Sequence, residues 1–293
     1  MFLARPRPLP PQEPRKRART ARRRTAVLAT ASCLLAGLSA PLPWARAAAP
    51  GVPGVSGAPT PSRPVRLAPT VRGVPLAERV VALTFDDGPH PVYTPQILAL
   101  LRRNAAHATF FVLGQEALRY PELLRAEWQQ GNEIGLHGMR HLVLYGRSAD
   151  EVEAEVREAE ETVAAVTGRR PVLYRLPQGR GDRTAREVLG RHGYLIIQWS
   201  VDPRDYLRPA PQTMVETVLR QAKPGTIIIF HDGGGPRART VEAVARILPA
   251  LRAEGYTVTT VSDLLRRAHF PLPAAPGAPP HKGPHRRVAE ANV

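Results

Sequence analysis

The chain is nearly devoid of cysteine: its single one, Cys33, lies inside an amino-terminal apolar run. A disulfide framework and a cysteine nucleophile are therefore excluded together for everything downstream of that run. No G-x-S-x-G pattern occurs, and the serines of the central region, Ser148, Ser200 and Ser262, fall at a helix cap, in a strand and at a helix start, which counts against a serine hydrolase. The one candidate for a membrane segment, Thr25 to Leu38, falls short of the roughly 20 apolar residues that a stable spanning helix needs. Internal repeats are missing too, and with them a solenoid or propeller. Negative charge is scarce, with 25 Asp and Glu against 41 Lys and Arg and a net charge of +16. That balance invites nucleic acid, but Met1 to Ala49 carries +9 of it, Pro50 to Arg72 +3 and Pro271 to Val293 +2, so Gly73 to Phe270 holds only +2. A nucleic-acid partner is not expected, and basic tails suit contact with anionic envelope polymers better.

Those ends have a layout of their own. An Arg- and Pro-rich start, the small apolar run and an Ala45-Arg46-Ala47 cleavage pattern make residues 1–47 a secretory signal peptide. Export to the cell envelope or beyond is the expectation, with no stable membrane span once the signal is cleaved. Arg23-Arg24 leaves the twin-arginine route open, and an uncleaved amino-terminal anchor is the structural alternative. Residues 48–75 are expected to be a Pro/Gly/Ala-rich linker and 270–293 a disordered basic tail, leaving one folded domain over 76–269.

Inside that domain the stretch Val80 to Pro89, VVALTFDDGP, reads as a buried strand that stops at two carboxylates and a tight turn. Alone, DDG is most simply a turn. Successive strand residues point opposite ways, so one carboxylate could hold a metal while its neighbour handles a proton. Downstream, strand-like runs at 108–113, 133–136, 172–175, 194–200, 226–231 and 257–261 alternate with helix-length amphipathic segments at 94–103, 121–130, 148–167, 184–192, 212–222 and 240–254. The 148–167 helix opens on a Ser148/Glu151 capping box and closes at Gly168. Such alternation predicts a single α/β domain, either a doubly wound sheet or a distorted (β/α) barrel of about seven parallel strands, and the strand count suits the barrel.

Polar groups recur where those runs end: Asp86-Asp87, His137 to His141, Arg175 to Gly179, Asp202 to Asp205, and His231-Asp232. A barrel brings all five to one rim. Two histidines four residues apart can face one point, and two His with one Asp form an open, catalytic type of metal site. Trp128 and Trp199 read as packing residues, and Gly233-Gly234-Gly235 as a flexible rim.

With these segments in hand, the chain resembles the polysaccharide deacetylases, carbohydrate esterase family 4, with their NodB homology domain, over roughly Arg79 to Ala268. TFDDG resembles the first family motif, implying Asp86 as catalytic base and Asp87 as metal ligand; HGMRH, the second, implies His137 and His141 as the other ligands. YRLPQG implies that Arg175 orients the base and that the Gln178 backbone N–H helps hold an oxyanion. DPRDY implies Asp202 and Asp205 as supports of the arginine and the histidine, and IFHD implies His231 as catalytic acid with Ile229 beside the acetyl methyl. Gly138 stands where the family usually has Ser or Thr, Gln178 where it has an aromatic, and Tyr206, the aromatic best placed to touch a sugar, where it has Trp. The resemblance implies a hydrolase that removes N-acetyl, or O-acetyl, groups from an N-acetylhexosamine polysaccharide: peptidoglycan, a chitin-like chain, an exopolysaccharide, or acetylated xylan; the exported chain is expected to be a monomer. It also implies a divalent cation, zinc being the ion that His2Asp ligation suits best. The rival readings are an inactive polysaccharide-binding member of the fold and an amidase acting on a smaller amide.

Overall fold

A computed structural model describes residues 66–273. The expected signal peptide, Cys33, most of the expected linker and most of the carboxyl-terminal tail lie outside these residues. Among these residues eight strands and eight α-helices follow in the order β1 (Thr70–Val71), β2 (Val80–Asp86), α1 (Tyr93–Arg103), β3 (Thr109–Val112), α2 (Gly114–Arg119), α3 (Pro121–Gln129), β4 (Glu133–Leu136), α4 (Ala149–Thr167), β5 (Leu173–Tyr174), α5 (Arg183–Arg191), β6 (Leu195–Ile197), α6 (Pro211–Gln221), β7 (Ile227–His231), α7 (Ala238–Ala253), β8 (Thr257–Thr259) and α8 (Val261–Arg267). Among the described residues no helix is long and apolar enough to cross a membrane.

Every strand pair is parallel, in the order β1-β6-β5-β4-β3-β2-β7, with β8 on the first half of β2. From β2 to β6 the strands follow one another in sequence order with no reversal, as in a barrel and unlike a doubly wound sheet, whose order switches midway. The ladder is not continuous around the ring. Its seam is spanned by isolated bridges, Val201 to Ile228 and Gly73 to Thr226, supported by Ser200 N–H to the Ile227 carbonyl at 2.9 Å and Ile229 N–H to the Val201 carbonyl at 3.1 Å.

The central strand shows how the sequence sets up the site. β2 is buried along its whole length, so side chains of both faces must be matched by neighbours. Val81, Leu83 and Phe85 join the core beneath the helices. Val80 and Ala82 face the other way, into a second apolar cluster with Phe111, Leu173 and Ile197 that Val261, Leu264 and Leu265 of α8 cap. Thr84 and Asp86 continue that inward row by the two-residue period of a strand. The interior is therefore apolar at the amino ends of the strands and polar at the carboxyl ends.

Two boundaries differ from expectation. The end of the expected linker carries β1, which pairs with β6, and Ala68 is fully buried. Backbone hydrogen bonds dock it, so a Pro-rich composition does not reveal it. At the other end Phe270 and Leu272, expected in the tail, pack on the α8 cluster.

Candidate active site and metal centre

The five strand-end segments do converge. One pocket of 370 Å³ is lined by all the candidate catalytic, metal-ligating and substrate-contacting residues except Arg175 and Asp205, which stand behind Asp86 and His231 respectively.

Asp86 ends β2 with its side chain inside the barrel, 2% exposed. Arg175 reaches it from the end of β5 with a 2.7 Å bond to Oδ1, and the same guanidinium donates to Thr84 Oγ1 at 2.7 Å and to the Ile197 carbonyl at 3.2 Å. Its Cζ lies 4.0 Å from the Phe111 ring centroid. A fully buried guanidinium needs this many partners to offset lost hydration. Burial pulls its pKa down and the Asp86 charge opposes that.

Asp87 turns the chain at once, with φ of 72°, a left-handed conformation that Asp tolerates better than most residues. Its Oδ1 is buried without a hydrogen-bond partner, 3.6 Å from His137 Nε2 and 3.6 Å from His141 Nε2. His137 Nδ1 donates to the Arg175 carbonyl at 2.8 Å, which leaves Nε2 as a lone pair directed at Asp87. Burial lowers the His137 pKa, the nearby Asp86 and Asp87 charges opposing it, so the imidazole is neutral at pH 7. An orphaned carboxylate oxygen between two imidazole nitrogens, all mutually within 4.8 Å, fits a divalent cation. Asp87, His137 and His141 are the three candidate ligands that the sequence singled out.

Across the pocket, His231 ends β7. Its Nδ1 donates to Asp205 Oδ1 at 2.7 Å, while Asp205 Oδ2 accepts from the His231 N–H and from Thr240 Oγ1, both at 2.9 Å. Burial alone would lower this imidazole, but the Asp205 hydrogen bond and charge, with Asp86 and Asp87 behind them, raise its pKa to about 9. Its neighbour Asp232 is fully buried, accepts the Thr94 hydroxyl, and is pushed up to about 7 by burial. Ile229 contributes an almost wholly buried apolar wall, Gln178 sits in the pocket with φ of 56°, and the half-exposed Tyr206 ring stands edge-on to His231 at 5.9 Å.

Three expectations need correction. Asp202 supports neither Arg175 nor His231: its Oδ1 folds back onto the Arg204 N–H at 2.7 Å, an Asx-type turn, and only Asp205 begins the short 3₁₀ turn that packs on β7. Trp199 is pocket wall rather than core, with Arg175 5.7 Å from its ring centroid. Gly233 and Gly234 are packed rather than a free rim: a Cβ at 233 would stand 2.0 Å from the Asp87 carbonyl and one at 234 would stand 2.4 Å from Asp87 Oδ2. Sequence reading also passed over Arg237, nearly buried at the pocket and donating to the Gly233 carbonyl at 2.7 Å, and Thr84. Thr84 carried a signal, since it precedes Asp86 by one strand period. Arg237 carried none.

Comparison with known proteins agrees with this geometry. Residues 73–197 match the family model described as polysaccharide deacetylase. A peptidoglycan-N-acetylglucosamine deacetylase of Bacillus cereus is 40% identical over 198 residues, 67% of this chain and 92% of the relative. A chitooligosaccharide deacetylase of Azorhizobium caulinodans is 36% identical over 190 residues, 61% of this chain and 90% of the relative. Among solved structures, a peptidoglycan N-acetylglucosamine deacetylase bound to a hydroxamate-type benzamide superposes with a TM-score of 0.67 at 30% identity, covering 71% of this chain and 96% of that one.

Proposed function

This chain belongs to the polysaccharide deacetylase family, and from that premise we propose that it is an exported, metal-dependent N-deacetylase of an N-acetylhexosamine polysaccharide of the cell envelope. The observation that carries the reading is the facing of two carboxylate-bearing pairs across one pocket, Arg175 with Asp86 and Asp205 with His231, beside the Asp87, His137 and His141 cluster. Export rests on the basic and apolar amino-terminal sequence. The envelope polymer rests on the relatives' names, peptidoglycan and chitooligosaccharide deacetylases.

Asp87, His137 and His141 would hold a divalent cation, for which zinc is the best match to two imidazoles and a carboxylate; when bound it supplies polarisation of a carbonyl and acidification of a water. The protein's own groups account for the proton traffic. Asp86, oriented by Arg175 and Thr84, accepts the proton of the attacking water. The Gln178 backbone N–H donates to the oxyanion, a contribution of about 3 kcal/mol for one such donor. Ile229 gives the acetyl methyl an apolar surface. His231, protonated at neutral pH because its pKa is raised to about 9, passes a proton to the departing sugar amine, and Asp205 steadies the charge. Acetate and a free amino sugar result.

The test is acetate release from peptidoglycan, chitin oligomers and acetylated xylan, with chelator and then metal add-back. Asp86→Asn and His231→Ala should each lower turnover by roughly 100-fold or more with the circular dichroism unchanged. Turnover at the wild-type rate in either variant, or indifference to chelator, would sink the proposal. Binding of these polymers without any acetate release would instead identify an inactive member of the family.

A further inference from the structure

A second cavity, of 580 Å³, adjoins the pocket just described, and the two share Trp199 and Asp202 in their walls. Thr213, Thr217, Arg220 and Gln221 of α6 line one side of it at helical spacing, while Met214, Val215 and Val218 turn into the core. Opposite them runs the loop that contains Pro203 and Arg204. Two guanidinium groups, Arg204 and Arg220, thus border one polar cavity whose single carboxylate, Asp202, stands at the shared edge and already accepts the Arg204 N–H. Some surface arginines are paired with acids, as Arg183 is with Glu187 and Arg267 with Asp263, while others carry no acid partner; what sets this cavity apart is that it gathers two guanidinium groups against one carboxylate. Among the described residues neither Arg204 nor Arg220 has such a partner.

A polymer that places one acetamido group beside Asp86 and His231 continues past the pocket, and Trp199 with Asp202 marks one way out. The sugar leaving by that route arrives between the two arginines. Planar guanidinium groups with no internal acid are suited to receive a carboxylate in charge-assisted hydrogen bonds, and the threonines and Gln221 to receive hydroxyls or amides. A neutral N-acetylglucosamine unit offers the arginines no anion. We propose that this cavity is a subsite for a carboxylate-bearing substituent on the sugar next to the one being deacetylated. The enzyme then favours an acidic glycan, such as a peptidoglycan strand with lactyl and peptide carboxylates, over a neutral oligomer. This rests on the deacetylase reading above.

The experiment compares three soluble oligosaccharides with equal numbers of sugars: a carboxylate-bearing peptidoglycan fragment, the same fragment with its carboxylates amidated, and an N-acetylglucosamine oligomer. Affinity is measured by calorimetry at low and high salt on metal-loaded wild type and on the Arg204→Gln/Arg220→Gln double variant, and kcat and KM are measured alongside. Wild type should bind the acidic fragment about tenfold more tightly than the other two, and salt should abolish the difference. The double variant should lose that tenfold through KM with kcat preserved, and should treat the neutral oligomer as wild type does. Equal wild-type affinity for the acidic and amidated fragments, or equal losses on acidic and neutral ligands in the variant, would overturn the subsite. If the double variant does not fold, the wild-type comparison of acidic with amidated fragment decides alone. Tight, salt-sensitive binding of the acidic fragment with no acetate released from any ligand would uphold the subsite and defeat the deacetylase reading.

Discussion

Asp205 directs both carboxylate oxygens at His231, one to the ring and one to the backbone, and Thr240 fixes it from behind. In the proposed mechanism this pair sets the pH range of the reaction. Because the His231 pKa is raised to about 9, the general acid is present at neutral pH and is lost as pH rises through that value, so kcat/KM should fall on the alkaline side near pH 9. Asp205→Asn removes the charge that opposes burial and one of the two accepting oxygens, and the alkaline limb should move to lower pH; a pH profile of acetate release checks this, and an unmoved limb would assign it to another group. Glu155 bears on the candidate metal ligands. It is buried, its Oε1 accepts the Arg140 N–H at 2.6 Å, and its Oε2 lies 3.3 Å from the Arg140 guanidinium, one residue before His141. A Cβ on Gly138, where φ is 87°, would stand 3.0 Å from that same Oε1 and 3.2 Å from the Tyr174 hydroxyl. The position at which the family usually carries a hydroxyl is thus a glycine here, and Glu155 braces the histidine loop from the neighbouring helix. Glu155→Ala should weaken divalent cation binding by roughly tenfold, the low end for a residue that supports a ligand from outside. Competition against a chromophoric chelator measures it, and unchanged affinity would leave Glu155 with a packing role only. Nothing in HGMRH announces Glu155, because it lies on a different element, α4.

Elements that lie in an apolar run or an amphipathic period were legible, including the short strands β5, β6 and β8, and those without one were not. β2, β4, α3 and α4 fall within a residue or two of where the sequence places them, since each has a full period of apolar spacing and a marked end: Pro121 at the first turn of α3, and Ser148 with Glu151 closing a reciprocal cap on α4. β1 has two residues and α2 six, too few for a period to show. α8 was marked only by a helix start at Ser262: the Thr260 hydroxyl accepts the Asp263 N–H as a cap, but the apolar run of β8 continues through Val261 and blurs where the strand ends. The segment around β1 tests how much such a short element matters. It lies against α5 where a Cβ on Gly190 would stand 1.9 Å from the Arg66 carbonyl oxygen. Gly190→Ala should therefore cost about 1–3 kcal/mol of stability from overpacking, although alanine is the better helix former by about 1 kcal/mol. Urea unfolding reads this out; a neutral or stabilising result would mean that residues 66–68 do not pack on α5 in solution.

At the scale of the molecule, candidate ligands from the end of β2 and from the loop after β4 meet at one buried, unpartnered oxygen, so cation binding should stabilise the whole domain. At a free cation concentration of about 100 times Kd the gain is roughly 2.7 kcal/mol, or on the order of 5–10 °C in Tm for a domain of this size. Calorimetry before and after chelation checks it, and a Tm indifferent to chelator would argue against a cation at these residues. The amino-acid sequence by itself determined which groups can do chemistry and that they sit at strand ends, because apolar runs that stop at charged residues, Gly or Pro are local signals. Only the tertiary structure decided that Asp205 and not Asp202 serves His231, that Trp199 is a wall of the pocket, and that Thr84 shares the Arg175 guanidinium with Asp86. Those partnerships depend on strand register and on how the ring closes, which long-range packing sets and no local pattern along the chain encodes.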